Sequence, residues 1–226
     1  MEITVSPAFE EYAHLWACAE RRKGSDAQFA KALDYYRLGT PEGQTEAFRL
    51  FKQAARRGFT EAMFAMGWCY EHGCGVKQNY QRAIRRYKQA QDQISSDIWN
   101  NPIPFPKKEA AEEPAMSEEE RAESIKRKLE EHRKNDTLEY DRNAALGGDA
   151  DAMMRLAWRY EYGRGAERDP SRAFAWYMQA ARLGNNCAME RIAAMYESEE
   201  DYPLATKWYR RYAIAAIHER NEYLGW

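Results

Sequence analysis

Residues 152–184, AMMRLAWRYEYGRGAERDPSRAFAWYMQAARLG, decide how the whole chain is read. Ala152, Leu156 and Tyr160 recur at helical spacing, and Gly163 and Gly165 then break the helix. Asp169 followed by Pro170 reads as an N-cap with proline at the first helical position. A second apolar face follows in Ala173, Tyr177, Ala180 and Ala181 and stops at Gly184, so the stretch predicts a pair of antiparallel helices. The same pattern stands 90 residues earlier, in AMFAMGWCYEHGCGVKQNYQRAIRRYKQAQDQI at 62–94, with Asn79 at the cap position. Aligning 54–91 with 144–181 gives 15 identities in 38 positions. Unrelated segments of this composition would share roughly two or three.

A shorter period lies inside that offset. Ala47, Phe51, Ala54, Ala55 and Gly58 have the spacing of Ala173, Tyr177, Ala180, Ala181 and Gly184, and Ala47 stands 36 residues before Ala83. Two such units make 72, so the offset of 90 implies an insertion of 18. Composition agrees with a helical repeat. Of 226 residues 35 are Ala, whereas Val, Ile and Thr together number 17, which excludes a sizeable β-sheet. Small residues at fixed positions let helix axes approach closely.

The two units resemble the Sel1-like repeats, an α/α solenoid family related to tetratricopeptide repeats. The resemblance rests on A-x3-L-x3-Y-x2-G-x-G followed by A-x2-W-Y-x2-A-A-x2-G, carried by Ala152 to Gly165 and Ala173 to Gly184. The earlier unit carries it as Ala62, Met66, Tyr70, Gly73, Gly75, Ala83, Tyr87 and Ala90. It implies an all-α, right-handed superhelical solenoid of about five helix pairs with terminal caps. The third pair keeps only its final Ala-Ala-Gly, and the fifth lacks the glycine loop. The expected layout is a capping helix in 1–25, repeats in 26–93, a Pro-rich insertion at 94–116, a charged helix and degenerate repeat in 117–148, repeats in 149–216 and a C-terminal cap in 217–226. Pro102, Pro104, Pro106 and Pro114 forbid a continuous helix in the insertion. Ser117 and Glu120 form a capping box for the charged helix that follows.

Several function classes are disfavoured. The 34 basic residues nearly cancel the 36 acidic ones, and dibasic steps such as Arg85-Arg86 are scattered, so no nucleic-acid partner is expected. Mean hydropathy is −0.87 and no apolar run approaches the roughly 20 residues of a bilayer span, so no membrane association is expected either. The absence of a basic segment leading into an apolar stretch at 1–16, together with four unevenly spaced cysteines, points to a cytoplasmic protein with reduced thiols. Cys69, His72 and Cys74 form the one local cluster of soft metal ligands, but no fourth ligand is evident. Cys74 reads as an exposed turn residue. No nucleophile–base arrangement or phosphate-binding fingerprint is present, so no catalytic, cofactor or metal site is expected. Glu71 and Glu161 recur at the end of the first helix, and Arg82 and Arg172 eleven residues later, which predicts a Glu–Arg pair across each hairpin.

Some large side chains fall off the repeat face. Phe64 and Trp68 lie four apart on one first helix, and Met154 and Trp158 hold the equivalent places on another, with Arg155 and Arg159 beside them. One expectation is an aromatic strip lining the concave groove, where a partner protein or peptide would desolvate it. The other is that these groups contact adjacent repeats. The function expected is a non-catalytic interaction scaffold or adaptor, one version being a cytosolic regulator or toxin-neutralising protein. The alternative class, a hydrolase or β-lactam-type ligand binder, comes from the resemblance alone.

Overall fold

A computed structural model of the chain describes residues 27–100, 117–135 and 138–224. The expected capping helix before residue 26 and the insertion from 101 to 116 lie outside the described residues. Among these there are ten α-helices and no strand. They are α1 (Ala27–Arg37), α2 (Pro41–Arg56), α3 (Thr60–His72), α4 (Tyr80–Asn100), α5 (Glu118–Asn135), α6 (Leu138–Leu146), α7 (Ala150–Tyr162), α8 (Pro170–Arg182), α9 (Asn186–Ser198) and α10 (Tyr202–Leu224).

The caps form where the sequence places them. Asp169 accepts the Arg172 amide at 2.9 Å and Asn79 accepts the Arg82 amide at 2.8 Å, each starting a second helix. Ser117 and Glu120 exchange side-chain to backbone hydrogen bonds at 2.8 and 3.2 Å, a complete capping box. Gly73 and Gly163 close α3 and α7 in the left-handed conformation that a side chain would strain. In the shortened fifth pair Glu200 adopts that conformation instead, at φ 60°, and Asp201 caps α10. The insertion starts later than expected: α4 runs to Asn100 with Ile94 buried, because no proline interrupts the chain before Pro102.

The described helices belong to two compact units. Unit 1 holds α1–α4, the end of α9 from Ala193, and α10; unit 2 holds α5–α8 and the start of α9 to Ile192. In both, the repeat alanines form the seams. Ala62, Ala83, Ala90, Ala152, Ala173 and Ala180 are all fully buried, as is Tyr177. Gly67 is required by packing: a Cβ there would lie 2.6 Å from the Tyr87 ring.

Within unit 1 the last helix does not follow the expected order of stacking. α10, from the fifth pair, packs along α4 and against α3, from the second pair. Lys88 lies 4.5 Å from the Tyr209 ring centre and Arg220 3.5 Å from Asp97, so α10 runs parallel to α4. Its far end is held by Arg220, fully buried, on Glu61 at 2.5 Å. α3 is consequently enclosed from Thr60 through Cys69.

A buried ion pair loses more when one partner is removed than when both are replaced by apolar groups, since a lone carboxylate keeps its desolvation cost. Arg220→Met is expected to destabilise unit 1 by about 3–5 kcal/mol. Glu61→Met combined with Arg220→Met should recover much of that loss, as measured by urea unfolding followed by circular dichroism.

Candidate functional site

Glu71, Glu161 and Glu197 end the first helices of three pairs, 90 and 36 residues apart. Each carboxylate takes a hydroxyl from the second helix of its pair and a cation from elsewhere. Tyr87 donates to Glu71 at 2.8 Å and Arg210 pairs with it at 2.8 Å. Tyr177 donates to Glu161 at 2.6 Å, and Arg191 of α9 pairs with the same carboxylate. Tyr209 donates to Glu197 at 2.8 Å, and Lys88 pairs with it at 2.8 Å.

The predicted partners Arg82 and Arg172 are therefore corrected. They lie over Tyr70 and Tyr160, each 5.7 Å from the ring centre, and Arg172 is also held by its own cap residue Asp169 at 3.1 Å. The physical reason is burial. The carboxylates point into the seam between helices, where the Tyr hydroxyls are, and the two arginines stay on the outer turn.

Burial raises the Tyr87 hydroxyl well above its usual value, helped by the Glu71 charge and opposed by Arg210. Burial likewise pushes Tyr209 up to about 12, while Lys88 opposes and Glu197 adds to the shift. Burial raises the Glu197 carboxyl, but hydrogen bonds from Lys88 and Tyr209 outweigh it and hold the group below its ordinary range.

The strip of large side chains divides between the units. Phe64 and Trp68 do not line an open groove. Phe64 packs on Tyr87 with ring centres 5.2 Å apart. Trp68 is 2% exposed: its indole N–H donates to the Tyr36 hydroxyl of α1 at 3.1 Å, its ring stacks on His72 at 3.8 Å, and Arg210 lies 5.3 Å above it. Trp158, at the same repeat position in unit 2, is 38% exposed. Met154 beside it is half-buried, and Tyr162 one turn on is 51% exposed with its ring 5.4 Å from that of Trp158. Arg164 lies 4.3 Å over the Trp158 ring.

Arg155 and Arg159 are held by a residue that sequence reasoning missed. Asp141 of α6, 1% exposed, accepts from Arg155 at 2.8 Å and from Arg159 at 2.6 Å. Tyr162 was legible as the next step of the i, i+4 line through Met154 and Trp158. Asp141 carried no such signal, because it sits in the degenerate repeat. The Cys69, His72 and Cys74 cluster separates: Cys69 is buried, the His72 ring nitrogen Nδ1 is 3.1 Å from the Trp68 carbonyl, and Cys74 is half-buried with the Tyr36 hydroxyl donating to its sulfur at 3.4 Å. Among the described residues no group of His, Cys, Asp or Glu is placed to hold a metal.

The Sel1 repeat profile matches residues 25–59, 60–93, 150–185 and 188–213, more than half of the chain. The chain belongs to the Sel1 repeat family. The four matched Sel1 repeats are the first, second, fourth and fifth of the expected pairs. Among similar proteins, mouse "DAP3-binding cell death enhancer 1" is 28% identical over 223 residues, covering 87% of this chain and 43% of that protein. "Chitin synthase regulatory factor 3" of Schizosaccharomyces pombe is 30% identical over 159 residues, covering 69% of this chain and 15% of its own length. The chain thus spans less than half of these relatives. A solved Sel1 repeat protein from Oxalobacter formigenes aligns over 90% of this chain and 83% of its own, at 19% identity and a TM-score of 0.31. A protective antigen of uropathogenic Escherichia coli with an SLR fold aligns over 96% of this chain and 49% of its own, at 21% identity and a TM-score of 0.33. No helix among the described residues is long and apolar enough to cross a membrane.

The Glu197 shift gives the α4–α10 contact a pH dependence. A carboxyl held below its unfolded value stabilises the fold above that value and loses the contribution as pH falls through the folded one. Lys88 is raised: burial lowers it, but the hydrogen bonds it makes to Glu197 and with Tyr209 prevail, so its share is present below the ordinary lysine value and is lost only at high pH. Lys88→Met should therefore be less stable than the wild type at neutral pH. The two melting temperatures should converge as pH drops below the carboxylate range.

Proposed function

We propose that this Sel1 repeat chain is a non-catalytic scaffold that binds a partner protein or peptide through the open face of α7. The observation that carries the reading is the contrast between two residues at one repeat position, Trp68 enclosed and Trp158 exposed at 38%. An aromatic ring left part-exposed beside a second one, Tyr162, costs solvation that a partner's contact would relieve, and such rings concentrate binding energy at interfaces. Arg155, Arg159 and Met154 frame the same face, and the clamp on Asp141 holds the two arginines in fixed directions.

The names of the relatives support the general class. One is said to bind DAP3 and the other to be a regulatory factor, and both descriptions are of proteins that work on another protein. The regulator version of the function fits that class. Because this chain matches less than half of either relative, only the class carries over.

Affinity purification from the source cells, with the wild type and with Trp158→Ala combined with Tyr162→Ala, tests the reading. Both side chains are exposed, so the double variant should keep the wild-type circular dichroism spectrum. We expect a stoichiometric protein with the wild type and its loss with the double variant. Equal recovery with both would place the interface elsewhere, and a retained small molecule without a protein would contradict the scaffold.

A further inference from the structure

Four cysteines are spread over the chain, and two of them stand where α3 ends. That helix closes through Gly73, which is left-handed at φ 75°. The amides of Gly73 and Cys74 both donate to the Cys69 carbonyl, at 2.8 and 3.0 Å. In a helix ending of this kind the residue after the glycine and the residue four before it carry the two side chains that meet across the turn. Helix α7 ends in the same way at Gly163, with the Arg164 amide donating to the Arg159 carbonyl at 3.0 Å. The turn thus forms with arginines at both places and does not itself call for cysteine.

The backbone bond limits how far apart Cys69 and Cys74 can be. A path from Cα through the carbonyl, across the 3.0 Å hydrogen bond and on through the amide nitrogen to Cα spans at most about 6.9 Å with standard bond lengths. Disulfides need Cα atoms within about 7 Å of each other. The two thiols also share a neighbour. The Tyr36 hydroxyl donates to the Cys74 sulfur at 3.4 Å; burial raises that hydroxyl far above its usual value, and the charges of Cys74 and of Cys69 both add to the shift. The turn is held from its other side, because a Cβ at Gly75 would collide with the Gln44 carbonyl oxygen of α2. Cys69 is fully buried whereas Cys74 is half-buried, so an oxidant reaches the pair through Cys74. Burial pushes the Cys69 thiol well up, with the Cys74 charge adding to it, which leaves Cys69 the protonated member of the pair.

We infer that Cys69 and Cys74 are a reversible redox pair, closed to an intrachain disulfide by hydrogen peroxide or another hydroperoxide and reopened by a dithiol. The Cys74 sulfur attacks a peroxide oxygen, the O–O bond breaks and water leaves, giving the sulfenic acid. The Cys69 sulfur then attacks the Cys74 sulfur: the S–S bond forms as the S–O bond breaks, and the departing hydroxide takes up the Cys69 proton as water. Two thiols and one peroxide give one disulfide and two waters, the sulfurs losing the two electrons that reduce the peroxide. A dithiol reopens the bond by exchange and ends as its own disulfide. The bond forms on the sulfur that accepts from Tyr36, so closure acts on a contact between α1 and the end of α3.

The test uses the full chain, reduced, freed of reductant and treated with dilute hydrogen peroxide, then denatured, alkylated and digested with trypsin for mass spectrometry. Residues 58–77 form one tryptic peptide that holds both cysteines. We expect this peptide to lose two hydrogens, to escape alkylation and to regain both alkylation sites after dithiothreitol, while the exposed Cys187 takes no part in the bond. Cys74→Ser keeps a hydroxyl to accept from Tyr36 and should leave Cys69 alkylated. Cys69→Ala should leave Cys74 without its partner and raise its dimedone-trapped sulfenic acid at least about tenfold over the wild type. Wild-type Cys74 carried on to the sulfinic acid with Cys69 still alkylated would overturn the inference. So would a disulfide joining either cysteine to Cys18 or Cys187, or an unchanged peptide under a dose that oxidises Cys187.

Discussion

A carboxylate buried at the end of a helix must be given hydrogen bonds and a cation, and much of this structure follows from how that demand is met. In unit 2 the sequence supplies the cation locally, because Arg191 sits 30 residues after Glu161 in the next first helix. In unit 1 the residue 30 after Glu71 is Asn101, at the threshold of the insertion, so no arginine follows in register. Arg210 fills the role from 139 residues away. The same helix α10 brings Arg220 to Glu61 and places Tyr209 beside Lys88, so a broken repeat and a distant helix form one seam.

That seam explains why equivalent residues have different fates. Helix α3 is packed between α2 and α4, with α10 and the Tyr36 side chain of α1 also reaching it, and Trp68 becomes part of a core with its indole hydrogen bond satisfied. Helix α7 has its Glu161 satisfied by α9, and its Trp158 is left part-exposed under Arg164. A Sel1 repeat buries its faces against its neighbours, so equal positions in two repeats differ in exposure with the helices that reach them.

Much of the fold was legible because the repeat writes its geometry as position-specific residues. The alanines at 62, 83, 152 and 173, the caps at Asn79 and Asp169 and the left-handed glycines at 73 and 163 all stand where periodicity puts them. The site was half legible. Sequence spacing finds Met154 and Trp158 but treats Phe64 and Trp68 as their equals, because spacing within a helix says nothing of which other helices arrive. The Glu71–Arg82 pairing failed for a related reason. Recurrence identified both residues, but the true partners were a tyrosine 16 residues on and an arginine brought by tertiary packing. Asp141 stayed invisible since it lies where the repeat signal is weakest.

One repeat position is sealed in the first unit, at Trp68, and part-exposed in the second, at Trp158. Hydroxyl-radical footprinting read by mass spectrometry measures this at single residues in the intact chain. We expect rapid oxidation of Trp158 and Tyr162 and strong protection of Trp68 and Phe64 under the same dose. Comparable oxidation of Trp68 and Trp158 would contradict it.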